Sequence, residues 1–163
     1  MKTLLLDIDY TIAIDHPTND MQVLLRPHFR EFFDKVDAEW NVVFYTAATR
    51  KRAVAVTRSM VHQLGMVEGY QKILQRLARK SLSRENAPMI MYKKASGAHI
   101  EIKSFDVASE ILGIPVGDMI MLDDNPSYDH PRAEQIIQAE GFMDIEEDDD
   151  YLLRVLEELE KRK

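Results

Sequence analysis

Three short apolar runs in this chain each stop abruptly on polar chemistry. Thr3-Leu4-Leu5-Leu6 runs into Asp7, Asn41 to Tyr45 runs into Thr46, and Met119-Ile120-Met121-Leu122 runs into Asp123-Asp124. Apolar runs this short, with turn signals nearby, read as strands buried on both faces, the habit of a parallel sheet. Stretches of helical spacing lie between them. Pro27 predicts a helix at its favoured first position, with Phe29, Phe32, Phe33 and Val36 on the core face. A turn at His16-Pro17-Thr18-Asn19-Asp20 precedes it. After Thr46-Ala47-Ala48-Thr49 a helix is expected to about Leu64, stopped by Gly65.

The second half repeats the alternation. Tyr70 to Leu82 predicts an amphipathic helix with Ile73, Leu74 and Leu77 on one side, broken by Asn86-Ala87-Pro88. Met89 to Tyr92 suits a short strand. Phe105 to Leu112 predicts a helix stopped by Gly113 and Pro115. Asp129 is placed to cap a helix opening near Pro131 and closing at Gly141. The acidic run Glu146 to Asp150 reads as a loop before a last helix, Tyr151 to Glu160. Acids then stand at that helix's amino end and Lys161-Arg162-Lys163 at its carboxyl end, as its dipole favours.

Alternating strands and helices predict an α/β fold, a doubly wound parallel sheet with helices on both faces. With no internal repeat and no linker, residues 1–163 are expected to form a single domain, within the usual size range. Such sheets bind ligands beyond the carboxyl ends of their strands. Asp7, Thr46 and Asp123-Asp124 therefore converge on one rim.

Composition narrows the chemistry available there. The chain has no cysteine, which excludes disulfides, thiolate zinc sites and a cysteine nucleophile. Its five histidines have no ligand spacing, and the nine methionines and Trp40 read as core filler. No stretch approaches the ~18 apolar residues of a membrane span, and the opening leucines stop at an acid, so a soluble, intracellular (cytoplasmic) protein is expected. The net charge of −7 is unevenly spread. Residues 1–49 carry −4, residues 50–103 carry +9, and residues 104–163 carry −12. The positive segment reads either as solvated helix faces or as a rim attracting an anionic substrate.

Asp7 and Asp9 stand two residues apart, so in extended backbone they share a face, and like charges so close call for a cation. Asp123 and Asp124 add two more acids. An all-oxygen set of this kind suits Mg²⁺. A carboxylate is also a competent nucleophile toward phosphorus, and a second acid can protonate the leaving oxygen and later activate water. Phosphoryl transfer otherwise needs in-line positioning and charge neutralisation, which a metal, a lysine and a hydroxyl supply.

These residues carry a family resemblance. Asp7-Ile8-Asp9-Tyr10-Thr11 resembles the DxDxT signature of the haloacid dehalogenase superfamily, whose fold is a Rossmann-like doubly wound sheet. Tyr45-Thr46-Ala47 resembles its second motif, Lys103 its third-motif lysine, and Leu122-Asp123-Asp124 its fourth-motif acids. Within the superfamily, Leu25 to Phe32, Phe44 to Ala48 and Leu122-Asp123-Asp124-Asn125-Pro126 resemble the small C-terminal-domain phosphatases (FCP/SCP), which act on phosphoserine in proteins. Tyr10 and the paired acids are shared with the magnesium-dependent phosphatases of phosphotyrosine or sugar phosphates; the first branch is preferred.

The resemblance implies a role for each residue. Asp7 is the nucleophile and a Mg²⁺ ligand, and Asp9 is the general acid/base, its backbone carbonyl also on the metal. Thr46 and Ala47 hold a phosphoryl oxygen, and Lys103 neutralises it and keeps Asp7 charged. Asp124 ligates the metal directly while Asp123 supports it. The FCP/SCP pattern has Asp-Asn where this chain has Asp123-Asp124, which bears on the ligand assignment. Lys93 and Lys94 rival Lys103, which is preferred because it precedes the Phe105 helix. Arg50, Lys51 and Arg52 read as solvated helix residues, or as a reach toward substrate phosphate.

Only 36 residues separate Asp9 from Thr46 and 56 separate Thr46 from Lys103, mostly consumed by the elements above. A large cap domain is therefore not expected. The open site that results suits a phosphate on a macromolecule, foremost a phosphoprotein. The alternatives are a nucleic-acid 3′-phosphatase, which the negative net charge opposes, a sugar or aryl phosphatase, and a receiver-like phosphoacceptor module. Receivers place their paired acids after the first strand and the phosphoacceptor after the third, the reverse of the order here.

Overall fold

The computed structural model describes residues 1–19, 22–66, 69, 72, 74–125, 129–145 and 148–163. In chain order its elements are β1 (Thr3–Leu6), β2 (Ala13–Asp15), β3 (Val23–Leu25), α1 (Phe29–Glu39), β4 (Asn41–Phe44), α2 (Arg50–Leu64), β5 (Ile90–Lys93), β6 (His99–Ile102), α3 (Phe105–Leu112), β7 (Met119–Asp123), β8 (Ile136–Gln138) and α4 (Tyr151–Lys161). Short helical turns at Leu74–Ala78, Val116–Asp118 and Ala133–Gln135 join them.

Four strands form a parallel sheet in the order β4-β1-β7-β8. The register sets Leu4 between Val42 and Ile120, and Leu6 between Phe44 and Leu122. Alternation along β1 then builds two cores. Leu4 and Leu6 face the larger one, with Phe29, Phe32, Phe33 and Val36 of α1, Val56 and Met60 of α2, and Leu152 and Val155 of α4. Leu5 faces the other, with Val43, Met121, and Phe105 and Ala108 of α3. The doubly wound α/β sheet with helices on both faces is thereby realised.

The glycine stops worked where they were local. Gly65 and Gly113 end α2 and α3 in the left-handed conformation, at φ 63° and 67°. The Ser104 hydroxyl caps α3 by accepting from the Val107 amide at 3.2 Å.

Three expectations are corrected. No helix runs from Pro131 to Gly141: a 3₁₀ turn leads into β8, because Ile136 and Ile137 pair with Met121 and Leu122 and bury themselves on opposite faces of the sheet. The Tyr70–Leu82 segment is helical in its described part as far as Lys80, but wound as a π-helix at Leu74–Ala78; Tyr70, Gln71 and Ile73 lie outside the described residues. Leu82 leaves the helix to bridge Tyr45 alongside β4. Pro27 does not open α1, which starts at Phe29 after His28 at φ 60°, since Arg26 to Phe29 close a turn of their own. The short strand expected at Met89–Tyr92 is present as β5, one arm of an antiparallel hairpin with β6, and β2–β3 forms another hairpin.

Among the described residues, β2–β3, α1 and β4 occupy the interval between Asp9 and Thr46. The interval to Lys103 holds α2, the π-helical turn and the β5–β6 hairpin, so neither interval carries a large cap. No described helix is long and apolar enough to cross a membrane.

Candidate active site

Parallel strands share one carboxyl edge, and there β1, β4 and β7 deliver Asp7, Thr46 and Asp123. The Asp7 amide donates to the Leu122 carbonyl at 2.9 Å, so the ladder continues just far enough to hold Asp7 beside Asp123. The chain then folds into a compact loop. The Ile8 carbonyl accepts from the amides of Thr11, Ile12 and Ala13 at 3.0–3.3 Å, and Tyr10 takes φ 61°. A non-glycine residue is strained there, and two bonds hold it: Tyr10 amide to Ala13 carbonyl at 2.9 Å, and Phe142 amide to Tyr10 carbonyl at 2.6 Å.

That loop turns Thr11 inward. Its hydroxyl donates to Asp7 Oδ2 at 2.6 Å and accepts from the Asp124 amide at 3.1 Å, tying the first acidic pair to the second. Lys103, 3% exposed, comes from the end of β6 and donates to Asp7 Oδ1 and to Asp123 Oδ2, the latter at 2.9 Å. Asp123 Oδ1 accepts from the amide and the side chain of Asn125 at 2.9 and 3.0 Å. Both oxygens of Asp123 are therefore engaged by the protein. Lys103 is held from behind by His130, whose Nε2 meets the Lys103 carbonyl at 2.9 Å.

Carboxylate oxygens of Asp7, Asp123 and Asp124 lie within 4.8 Å of one another. Lys103 offsets one of their three charges. Burial pushes Asp7 up to about 7, with Lys103 opposing and the Asp123 charge adding to the rise. Burial and then Asp123 also raise Asp124. Burial works to lower Lys103, yet the charges of Asp7 and Asp123 outweigh it and hold its ammonium well above the usual lysine range. An oxygen-only cluster with an excess of negative charge could hold a divalent cation, and would suit Mg²⁺ better than a softer metal.

The expected residues Asp7, Lys103, Asp123 and Asp124 thus come together, with Asp9 and Thr46 alongside. The Asp9 carboxylate lies outside the trio: Thr46 Oγ1 reaches its Oδ2 at 3.4 Å and Arg52 Nε its Oδ1 at 2.6 Å. Thr46 Oγ1 also accepts from the Ala48 amide at 3.0 Å, and Ala47 forms the turn between them. The rival lysines stand apart, Lys94 paired with Asp129 at 2.5 Å and Lys93 exposed on β5. Pro126 of the fourth motif lies outside the described residues.

Two residues matter more than the sequence suggested. Arg52, read as one of three equivalent surface cations, bridges Asp9 and Asp15, each at 2.6 Å. Arg26 is 4% exposed, and its guanidinium donates to Asp149 at 2.8 Å, to the Thr11 carbonyl at 3.1 Å and to the Glu140 carbonyl at 2.7 Å. It lies over the ring of Tyr151 at 4.4 Å. Arg26 thereby clamps the Asp7–Thr11 loop to the segment entering α4. A cation flanked by Leu25 and Pro27 was the available signal.

Comparison with known proteins agrees with this geometry. No curated protein sequence matches the chain significantly. Among solved structures it is similar to Fcp1, described as an essential RNA polymerase II CTD phosphatase, with a TM-score of 0.56 and 14% identity over 99% of this chain and 50% of that one. It is also similar to a variant of fission yeast Fcp1 bound to beryllium fluoride, with a TM-score of 0.54 and 13% identity over 99% and 51% of the two chains. The chain spans about half the length of these structures, and at such identity the likeness is one of fold. The family model described as NLI interacting factor-like phosphatase matches residues 2–163. By that match over nearly its whole length, the chain belongs to the NLI interacting factor-like phosphatase family.

Proposed function

We propose that residues 1–163 act as one Mg²⁺-dependent phosphatase domain that hydrolyses phosphate monoesters through an aspartyl-phosphate on Asp7, with a phosphoprotein as substrate. One observation carries the reading: Asp7, Asp123 and Asp124 converge within 4.8 Å around a buried lysine that neutralises only one of them.

In this reading Asp7 attacks the phosphoryl group through one carboxylate oxygen, while Thr11 and Lys103 aim the side chain and work against the burial that disfavours its ionised form. Asp7, the Asp9 backbone carbonyl and Asp124 would hold Mg²⁺, which when bound neutralises charge on the phosphoryl oxygens. Asp124 suits direct ligation, because Asp123 is already engaged on both oxygens by Lys103 and Asn125. Asp9, held against Thr46, donates a proton to the leaving oxygen. It then takes one from the water that cleaves the acyl phosphate. Thr46, the Ala47 turn and Lys103 bind the phosphoryl oxygens.

Asp9 beside Thr46 also favours turnover over a phosphoacceptor that only stores a signal. The absence of a large cap among the described residues supports a macromolecular substrate, and the similarity to Fcp1, described as an RNA polymerase II CTD phosphatase, supports a phosphoprotein. The test is turnover with Mg²⁺ across phosphoserine peptides, 3′-phosphorylated oligonucleotides and sugar phosphates. Phosphoserine peptides are expected to be preferred, and preference for either other class would overturn the substrate assignment.

A further inference from the structure

α2 holds Arg50, Lys51, Arg52 and Arg58 and no acid in its 15 residues. The fold divides these cations unequally. Arg50 Nε donates to the Ala78 carbonyl at 2.8 Å, and Arg52 is taken by Asp9 and Asp15. Lys51 and Arg58 have no hydrogen-bond or ionic partner among the described residues. They stand seven residues apart, about 10.5 Å along the helix axis at ~1.5 Å per residue. Val54 and Ala55 lie between them on the same side, because positions three, four and seven apart share a helix face.

These residues, with Ala48, Thr49 and the stem of Arg52, line a groove of about 440 Å³. One end of the groove is the turn that carries the site: the Ala48 amide bonds Thr46 Oγ1 at 3.0 Å, and Arg52 bonds Asp9. The groove therefore begins beside the Thr46 turn and runs along α2, with Val54 and Ala55 in its lining and positive charge without a partner among the described residues at two points along it.

We infer that this groove docks the substrate segment flanking the phosphorylated residue, and that it selects an acidic peptide carrying a second anionic side chain. The inference rests on the phosphatase reading and adds to it the residues that read the flank. An extended peptide advances ~3.3 Å per residue, so the interval from Lys51 to Arg58 corresponds to about three residues. An anion next to the reacting residue meets Lys51, and one about three residues farther on meets Arg58. Val54 and Ala55 cover the apolar stem of a side chain between them. A nucleic acid fits less well. The groove offers two separated cations rather than a continuous track, no aromatic ring for stacking bases, and a net charge of −7 on the chain as a whole.

The experiment compares kcat/KM on a phosphoserine peptide with Glu one and four residues to either side against the same peptide with Gln there, for wild type and for Lys51→Ala/Arg58→Ala. Both side chains are solvent-facing, and neither touches Asp7, Asp9 or Lys103. Exposed charge pairs are individually weak, so the wild type is expected to prefer the Glu peptide by about fivefold. The double variant should lose that preference while keeping its rate on p-nitrophenyl phosphate within about twofold. Preference should also vanish at high salt, where screening shortens to ~3 Å at 1 M. Retained preference in the variant overturns the docking surface, as does an equal loss on p-nitrophenyl phosphate. Stronger competition by single-stranded DNA than by the unphosphorylated Glu peptide overturns the choice of partner. Should wild type turn over none of these substrates, the phosphatase reading fails by itself. Fluorescence anisotropy of the labelled, unphosphorylated Glu peptide then judges the groove alone: weaker binding to the double variant supports it, and equal binding overturns it.

Discussion

Arg52→Ala should slow the reaction selectively, according to how much help the leaving group needs. Arg52 Nε grips Asp9 Oδ1 at 2.6 Å while its Nη1 is anchored on Asp15, leaving Oδ2 of Asp9 facing Thr46. Without Arg52, the remaining side-chain bond on Asp9 is the 3.4 Å contact from Thr46, too long to fix the carboxyl in one rotamer. Hydrogen bonds to charged groups contribute about 1.5–3 kcal/mol. Side chains 18% and 32% exposed feel solvent screening, so the lower end applies, close to the ~1.4 kcal/mol of a tenfold effect. An alkyl phosphate, whose alkoxide must be protonated as it leaves, should therefore lose about tenfold in kcat/KM. p-Nitrophenyl phosphate, whose nitrophenolate leaves without a proton, should lose less than about twofold. The parameter to measure is kcat/KM, because it reports the step in which the ester oxygen departs and not the later hydrolysis of the acyl phosphate. Asp9→Asn calibrates the scale, since removing a general acid costs ~10²–10⁴-fold on the poor leaving group. Lys at position 52 should restore part of the loss and Asp15→Asn should reproduce a fraction of it. Equal losses on both esters would refute the aiming role. A faster alkyl reaction would refute it as well.

Asp7→Asn should abolish turnover while leaving the circular dichroism spectrum unchanged, because an amide cannot attack phosphorus; mass spectrometry of acid-quenched wild type should find phosphate on Asp7. Activity should require Mg²⁺, and Ca²⁺ should bind but inhibit through its larger, looser shell. Titration should show a greater rise in the Mg²⁺ requirement for Asp124→Ala than for Asp123→Asn, and the opposite order would exchange their roles. Lys103→Met leaves two buried carboxylates without their counter-charge and should cost about 3–5 kcal/mol in urea denaturation of the metal-free protein. Excess Mg²⁺ should recover part of that loss, and a cost below about 1 kcal/mol would contradict the burial argument.

The order of residues alone determined the three strands that carry the site, the stops at Gly65 and Gly113, and the arrival of Asp7, Thr46 and Asp123 at one rim. Each of these is a local matter. Apolar runs and a missing Cβ act within a few residues, and parallel strands share their carboxyl edge by construction. The tertiary structure decided what depends on distant partners. Ile136-Ile137 became a strand because β7 offered an open edge and the two cores each took one side chain, a ladder that local periodicity cannot reveal. β2–β3 and β5–β6 are likewise short pairings that exist only through each other. The same dependence separated the cations of α2. Arg52 met Asp9 across 43 positions of sequence while Lys51, its neighbour, met no acid among the described residues. Arg26 found the Thr11 carbonyl and Asp149 only when the segment entering α4 closed over the loop. Charge pairing is set by angstroms in space, and adjacent positions on a helix point about 100° apart, so identical charges in one run acquire different tasks only once the chain is folded.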